Sequence, residues 1–416
     1  MSLKKNYHIR AQAVRLVKQT LKGQDLQASL DAALQKIYNP KDKKLLTELS
    51  YGYFRYKGQL EYLLTLYLSK WDKLPLEVKI LLALACYELF YLDKIPDYAS
   101  VSWGVELGKQ MYGAKIGALI NAVLRKCSKL KIKDDLFKQD NPGLEIYLSR
   151  KYSCPLWLTT YLLSKFSLTS VTSFLEYSLL KPKTGVLLLD AIDLPADIMS
   201  CVAETTEVGF SIQSGLEEKV LNYLQQHNIS YYRQSVVSQK VLLNLLKGVS
   251  GPIWDACAGS GGKSFILCRR GFLPLASDLN KKRLKLLKKQ TTSWDLEINF
   301  FLADATKPPL KKIKNILLDV PCSGLGVISR RPDLKWKKTF QDVKNLSQIQ
   351  TKMLLQTLSL VPKGGSLLYI TCTLTEEENV FPLQQVQKEF PYLKVEQKSF
   401  NLCAEEVLFG ARLVLG

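Results

Sequence analysis

The chain has 416 residues, 47% of them hydrophobic, and carries 58 Lys and Arg against 38 Asp and Glu, a formal net charge of +20. The apolar share excludes a disordered chain, and the length suggests two or three domains of ~100–200 residues each. The excess of cations makes a polyanion, nucleic acid above all, the first partner to consider. The nine cysteines are odd in number and form no C-x-x-C, which argues against a disulfide framework and a Cys-rich zinc site, so no metal is expected. Neither of the two histidines, His8 and His227, lies in a motif that sets it beside a nucleophile, so cysteine chemistry in this chain runs without histidine. The N-terminal MSLKKNYHIRAQAVRLVKQ lacks the apolar core of a signal peptide. The apolar run ILLALACYELFYL, 80–92, is too short for a bilayer and contains Glu88. With free thiols, these features predict a cytoplasmic protein that does not touch a membrane.

From the N-terminus, the first ~130 residues carry helical periodicity. In DLQASLDAALQKI the residues Leu26, Leu30, Ala33, Leu34 and Ile37 fall on one face. Helices are predicted over KKLLTELSYGYFRY, QLEYLLTLYL, LEVKILLALACYELFYL, ASVSWGVELGKQM and GALINAVLRKC, broken at PKDK, WDKLP and KIPDYAS. The charged KLKIKDDLFKQDNPG, 129–143, ends in a turn signal and sets a boundary. Residues 144–245 mix two helical segments, a strand-like GVLLLD and a further helix LEEKVLNYLQQHN, and are expected to form a small mixed α/β linking subdomain. From 246 onward, short apolar strands (PIWDA, PLASD, INFFLAD, NILLDV, GSLLYITC) alternate with helical segments. That alternation predicts an α/β domain with a mostly parallel sheet, and the tail VLFGARLVLG is a candidate last, antiparallel strand.

The first of these strands runs into DACAGSGGKS, 255–264. Glycines there let a ligand approach the backbone, and the helix that follows offers unpaired N–H groups. One reading is a P-loop NTPase: Gly262, Lys263 and Ser264 match the second half of G-x-x-x-x-G-K-[ST], but Cys257 stands where the first glycine belongs. In that reading Asp319, ending ILLD, holds Mg²⁺. The other is the loop of an S-adenosylmethionine (SAM) methyltransferase. Asp255 ends the first strand, where an acid repels a triphosphate but suits the cationic methionine end of SAM. Asp278 ends the second strand 23 residues later, placed for ribose hydroxyls. Asp304 ends the third, where adenine is expected.

The fourth and fifth strands end in DVPCS, 319–323, and ITCT, 370–373. A lone cysteine is more often a small buried hydrophobe than a catalyst. Two at strand ends facing one cofactor loop make a less ordinary pair.

The segments DACAGSGGKS, SDLNKKRL, LLDVPCSGLGVISRRPDLKW and YITCTLTEEEN resemble, in order, the motifs of bacterial RNA cytosine-5 methyltransferases of the RsmB (Sun) type. The helical region, in ELSYGYFRY, LALACYELFYL and INAVLRKC, resembles their NusB-like RNA-binding domain. The chain departs from the family with Gly259 and Ser260 for the usual Ala-Pro, and with TCT for TCS.

The resemblance implies an all-α NusB-like domain over 1–130, the linking subdomain over 144–245 and a Rossmann-like SAM-dependent methyltransferase domain over 246–416. It implies SAM held by Cys257, Ala258, Gly259, Ser260, Gly261, Gly262 and Lys263 with Asp278, Asp304 and Asp319. It implies 16S ribosomal RNA, naked or in a small-subunit assembly intermediate, as the partner of a monomer. C5 of cytosine is a poor nucleophile until a thiolate adds at C6, and a base must then remove the C5 proton. The family assigns the attack to Cys372 and leaves release to Cys322, with Asp319 on N3 or N4 of the base; the spacing of the residues does not itself choose between the cysteines. Arg330, Arg331, Lys335 and Trp336, directly after PCS, are expected to contact RNA. The third class that the sequence allows is a non-catalytic NusB-like RNA-binding factor.

Overall fold

The computed structural model describes residues 8–399 and 405–416. They form two compact units: the described residues up to Leu180 together with Ile328–Lys338, and Lys181–Val327 with Thr339–Gly416.

The first unit is helical: α1 (His8–Leu21), α2 (Leu26–Leu34), α3 (Pro40–Thr65), α4 (Leu76–Tyr91), α5 (Asp97–Tyr112), α6 (Ala114–Cys127), α7 (Leu144–Lys151), α8 (Leu156–Lys165) and α9 (Leu168–Leu179). The predicted stops and starts act as caps. Asp25 accepts the Ala28 N–H at 2.8 Å, and Asn39 caps α3, which begins at Pro40. In α4, Val78 and Ile80 through Glu88 are buried, because this helix is the centre of the unit and packs on every side. Glu88 sits there because it is paired: Arg10 Nε at 2.7 Å, Ser100 Oγ at 2.8 Å and Trp103 Nε1 at 2.8 Å all donate to its carboxylate. Helices α7–α9, read from sequence as part of the linking subdomain, pack within this unit instead; the Tyr56 hydroxyl of α3 donates to the Leu179 carbonyl.

The second unit holds two sheets. The smaller comprises β1 (Gly185–Leu188), β2 (Val202–Thr205), β3 (Gly209–Ile212) and β4 (Tyr231–Arg233), in the order β2-β3-β1-β4, with α10 (Ala196–Met199), α11 (Glu217–Gln226) and α12 (Val236–Leu245). Its strand pairs are all antiparallel.

The larger sheet follows: β5 (Ile253–Asp255), α13 (Gly262–Arg269), β6 (Pro274–Asp278), α14 (Lys281–Ser293), β7 (Asn299–Leu302) and β8 (Asn315–Asp319). The chain then passes through α15 (Leu334–Lys337), which belongs to the first unit. It resumes with α16 (Phe340–Leu358), β9 (Ser366–Thr371), α17 (Glu376–Asn379), α18 (Phe381–Glu389), β10 (Leu393–Ser399) and β11 (Phe409–Leu415). Strand order is β10-β11-β9-β8-β5-β6-β7, parallel from β9 through β7 and antiparallel at β10 and β11. The fully buried SLLYIT of β9 and the near-continuous apolar run of β8 suit a parallel sheet covered on both faces. The order reverses between β5 and β8, and ligands of open α/β sheets bind outside the strand ends at such a reversal. The loops after β5 and β8 are DACAGSGGKS and DVPCS.

The segment 328–338 is built into the helical unit. Lys335 is 0% exposed and its Nζ donates to the Arg55 carbonyl at 3.0 Å. Trp336 Nε1 donates to the Phe54 carbonyl at 2.7 Å, and Lys57 Nζ stands 4.5 Å from the centre of its ring. Gly58 makes room: a Cβ there would lie 2.8 Å from the indole. Arg331 pairs with Asp25 at 2.6 Å.

Candidate active site

Gly259 (φ 58°) and Gly261 (φ 100°) turn the chain after β5 in the left-handed region, and α13 starts on Gly262. A side chain at Gly261 would strike Leu287 and Phe265, whereas nothing lies within 4 Å of a Cβ at Gly259, so the loop leaves open space on that side. Asp278 ties the loop to β6: its Oδ2 accepts the Gly259 N–H at 2.9 Å and its Oδ1 the Asn280 N–H at 2.7 Å. The loop's Ala258 N–H donates to the Ser277 carbonyl at 2.8 Å. Ser260 Oγ lies 3.0 Å from the hydroxyl of Tyr232 on β4, which also covers Gly262. Tyr232 stacks edge-on against Phe265 and Trp294. Sequence reasoning missed Tyr232, because β4 is three residues long and its link to the loop crosses between two sheets. Cys257 is half-buried, and its thiol is pushed well above its ordinary value by burial and the neighbouring carboxylates.

Asp255 does not face the cofactor space as expected. It is 0% exposed, and its Oδ2 accepts the Ser264 hydroxyl at 2.6 Å. Burial raises its pKa to about 7, the Ser264 bond works against that, and the Asp319 charge adds to it. Asp255 braces the first turn of α13. Asp304, two residues past β7, accepts the Thr306 N–H at 2.8 Å, which holds its carboxyl below the usual range.

Lys263, from the first turn of α13, reaches the end of β8 and meets Asp319 at 2.6 Å. Burial disfavours its charge, but the Asp319 carboxylate outweighs burial and raises the pKa. A P-loop lysine must be free for phosphate; this one is paired, at the carboxyl edge of the sheet where Asp278 and Asp319 end β6 and β8 and Asp304 follows β7. That donor set repels a triphosphate and suits a ligand with a positive charge and ribose hydroxyls, so the residues fit SAM and not ATP.

The two strand-end cysteines come together. Cys322 Sγ lies 2.9 Å from Cys372 Sγ, and the Cys372 N–H donates to Cys322 Sγ at 3.2 Å. Gly326 locks the pair from below: its N–H donates to the Cys372 carbonyl at 3.0 Å, and a Cβ there would lie 2.0 Å from the Val407 carbonyl. The hydrogen bond to Cys372, with burial, drives the Cys322 thiol well above its ordinary value, and the Glu378 carboxylate acts in the same direction.

The expected RNA contacts divide. Lys335 and Trp336 spend their polar groups on carbonyls of α3, so the expectation that they bind RNA is corrected: they anchor the 328–338 segment. Arg331 is engaged with Asp25, and Arg330 stays half-exposed. A Trp among cations reads the same in sequence whether it faces RNA or fills a slot in a domain.

The family described as 16S rRNA methyltransferase RsmB/F matches residues 241–406, and the NusB family matches residues 8–129. A relative in Bacillus subtilis (strain 168), named probable ribosomal RNA small subunit methyltransferase B, is 30% identical over 370 residues, covering 84% of this chain and 81% of its own. Ribosomal RNA small subunit methyltransferase B of Vibrio vulnificus (strain YJ016) is 28% identical over 398 residues, covering 90% and 89%. In fold, the chain is similar to the crystal structure of PH0851, with TM-score 0.77 at 17% identity, covering 100% of this chain and 99% of that one. Identity of 30% over 84% of the chain reaches beyond either compact unit alone, and it joins the helical region to the paired strand-end cysteines as they are joined in one family: the chain belongs to the RsmB family of SAM-dependent rRNA cytosine-C5 methyltransferases.

Proposed function

We propose that Cys372 attacks C6 of a cytosine in 16S rRNA and that Cys322 removes the C5 proton and frees the product. Bound SAM supplies the methyl group to C5 from its sulfonium. Asp278 would hold the ribose hydroxyls, the open backbone at Gly259 would admit the methionine end, and Asp304 would serve the adenine. Asp319, aimed by its 2.6 Å pairing with Lys263, accepts a hydrogen bond from the base edge at N3 or N4.

The observation that carries the assignment is the contact of the two sulphurs at 2.9 Å, in which the hydrogen bond to Cys372, burial and the Glu378 charge keep the proton on Cys322. The attacking group is the Cys372 thiolate, which accepts a hydrogen bond from the Cys322 thiol. Once Cys372 is bonded to C6, the negative sulphur that held the Cys322 proton is gone, and that proton passes to water. The Cys322 thiolate then takes the C5 proton and the Cys372 thiolate leaves. Each turnover releases one proton and restores the starting state.

The substrate is the small-subunit RNA or an assembly intermediate, engaged by a monomer in the reducing cytoplasm, where both thiols stay free. Helix α14 supports the RNA reading: six Lys and Arg and no acid in 13 residues, with all six cations exposed. Among the described residues no helix is long and apolar enough to cross a membrane. Bisulfite sequencing of 16S rRNA incubated with the protein and SAM is expected to reveal a single protected cytosine that is absent without SAM. Unprotected 16S rRNA with protected transfer RNA would overturn the substrate assignment.

A further inference from the structure

The short helix α17 follows the TCT loop, and its Glu378 is 0% exposed. A carboxylate removed from water is tolerated only when donors surround it. Here the donors come from three segments. Ser323 supplies its backbone N–H to Oε1 at 2.8 Å and its hydroxyl to Oε2 at 2.5 Å. Thr375 gives its hydroxyl to Oε2 at 2.9 Å. Gln350 of α16 gives one amide proton to Oε1 at 3.0 Å and the other to the Pro321 carbonyl at 3.0 Å. Thr373 has one hydroxyl proton, which reaches either Ser323 Oγ at 2.8 Å or Glu378 Oε2 at 3.2 Å.

Ser323 follows Cys322, and Thr373 follows Cys372. The residue after each cysteine therefore joins the same buried carboxylate network. The next residue, Asn379, fixes the second loop again, accepting the Thr371 hydroxyl at 2.5 Å and donating to the Thr373 carbonyl at 3.1 Å. Tyr369 of β9 donates to the Glu378 carbonyl at 2.7 Å.

Resting on the cysteine roles above, we propose that Glu378 is a positioning residue that clamps the two cysteine loops in register, so that both sulphurs meet the same face of the base. It touches no reacting atom. The hydroxyl after each cysteine, Ser in PCS and Thr in TCT, exists to reach it. A side chain that only stabilised the fold would not need donors from both loops and from α16 on one carboxylate.

The test uses the full chain and two readouts. One is the rate at which the thiol oxidant diamide joins Cys322 to Cys372, counted by mass spectrometry of the linked peptides; two thiols lose two electrons and two protons, and the azo reagent becomes its hydrazine. This readout needs neither RNA nor SAM, so it reports on the clamp even if the methylation reading fails. The other is steady-state methylation. In Glu378→Ala, kcat is expected to fall about 100-fold, as misplacement of reacting groups does, with KM for RNA and the SAM Kd within about twofold of wild type. Disulfide formation is expected to slow about tenfold, since that bond demands close and aligned sulphurs. Glu378→Gln, which keeps an acceptor for Ser323 N–H and Gln350 and lets the hydroxyls turn to accept, is expected to restore most of both rates. Should the alanine chain not fold, Glu378→Asp, which withdraws the carboxylate by one methylene, is expected to show both losses. Wild-type rates in the alanine or aspartate chain overturn the proposal. So does a loss of kcat at an unchanged disulfide rate, or one accompanied by an equal loss of SAM affinity.

Discussion

Asp278 holds the glycine loop by one carboxylate oxygen and the start of the next turn by the other. Replacing it with alanine removes both the proposed ribose acceptor and the brace of Gly259, so calorimetry is expected to show SAM binding weaker by about 1.5–3 kcal/mol. Lys335 makes a different prediction. It is fully buried beside Arg55, with one carbonyl to donate to, and burial lowers its pKa to about 7. The unfolded chain binds its proton up to about 10.4. Between pH 7 and 10 the unfolded state therefore holds more protons at Lys335 than the folded one, and this side chain's contribution to stability rises with pH across that window; below pH 7 both states are protonated and the contribution is flat. Relative to Lys335→Met, which cancels the other titrating groups, the wild-type chain is expected to gain about 2–4 kcal/mol from pH 7 to 10 in urea unfolding. Equal pH dependence in the two chains would mean that Lys335 keeps its charge when folded.

At the scale of elements, what the sequence makes legible is what is local. The stops before α3 and α5, the helix over LEEKVLNYLQQ, the parallel strands ending in Asp255, Asp278 and Asp319, and the antiparallel tail all follow from periodicity and capping. The pairing of PCS with TCT was legible because parallel strands end at one edge. What escaped depends on distant partners. Helices α7–α9 join the helical unit through contacts such as Tyr56 to Leu179, more than a hundred residues apart. The strand β10 escaped because LKVEQKS carries charges along an edge. Glu378 lay in TEEEN, a run that reads as a solvated acidic turn; the hydroxyl after each cysteine was the available signal. The 328–338 segment misled because its seat on α3 is some 280 residues away. Trp336→Ala is accordingly expected to destabilise the helical unit by about 2 kcal/mol, less than a fully buried Trp, in urea unfolding of the full chain. Loss of RNA affinity at wild-type stability would return Trp336 to the RNA-contact role.

At the scale of the whole molecule, a net charge of +20 makes RNA affinity steeply dependent on salt. If α14 lies on the RNA, replacing Lys285, Lys288 and Lys289 with Gln is expected to flatten the slope of log K against log salt by about 2–3, with SAM affinity unchanged. An unaltered slope would leave α14 a solvated face. In the proposed mechanism, attack and release are divided between two sulphurs 2.9 Å apart. The most direct measurement is a denaturing gel of Cys322→Ala after incubation with SAM and 16S rRNA. A slow-migrating covalent protein–RNA band is expected, because Cys372 attacks, C5 is methylated and nothing removes the proton, with no such band in Cys372→Ser or in the double variant. A band in the Cys372 variant and none in Cys322→Ala would reverse the roles, and full turnover in both single variants would show that neither sulphur takes part in the chemistry.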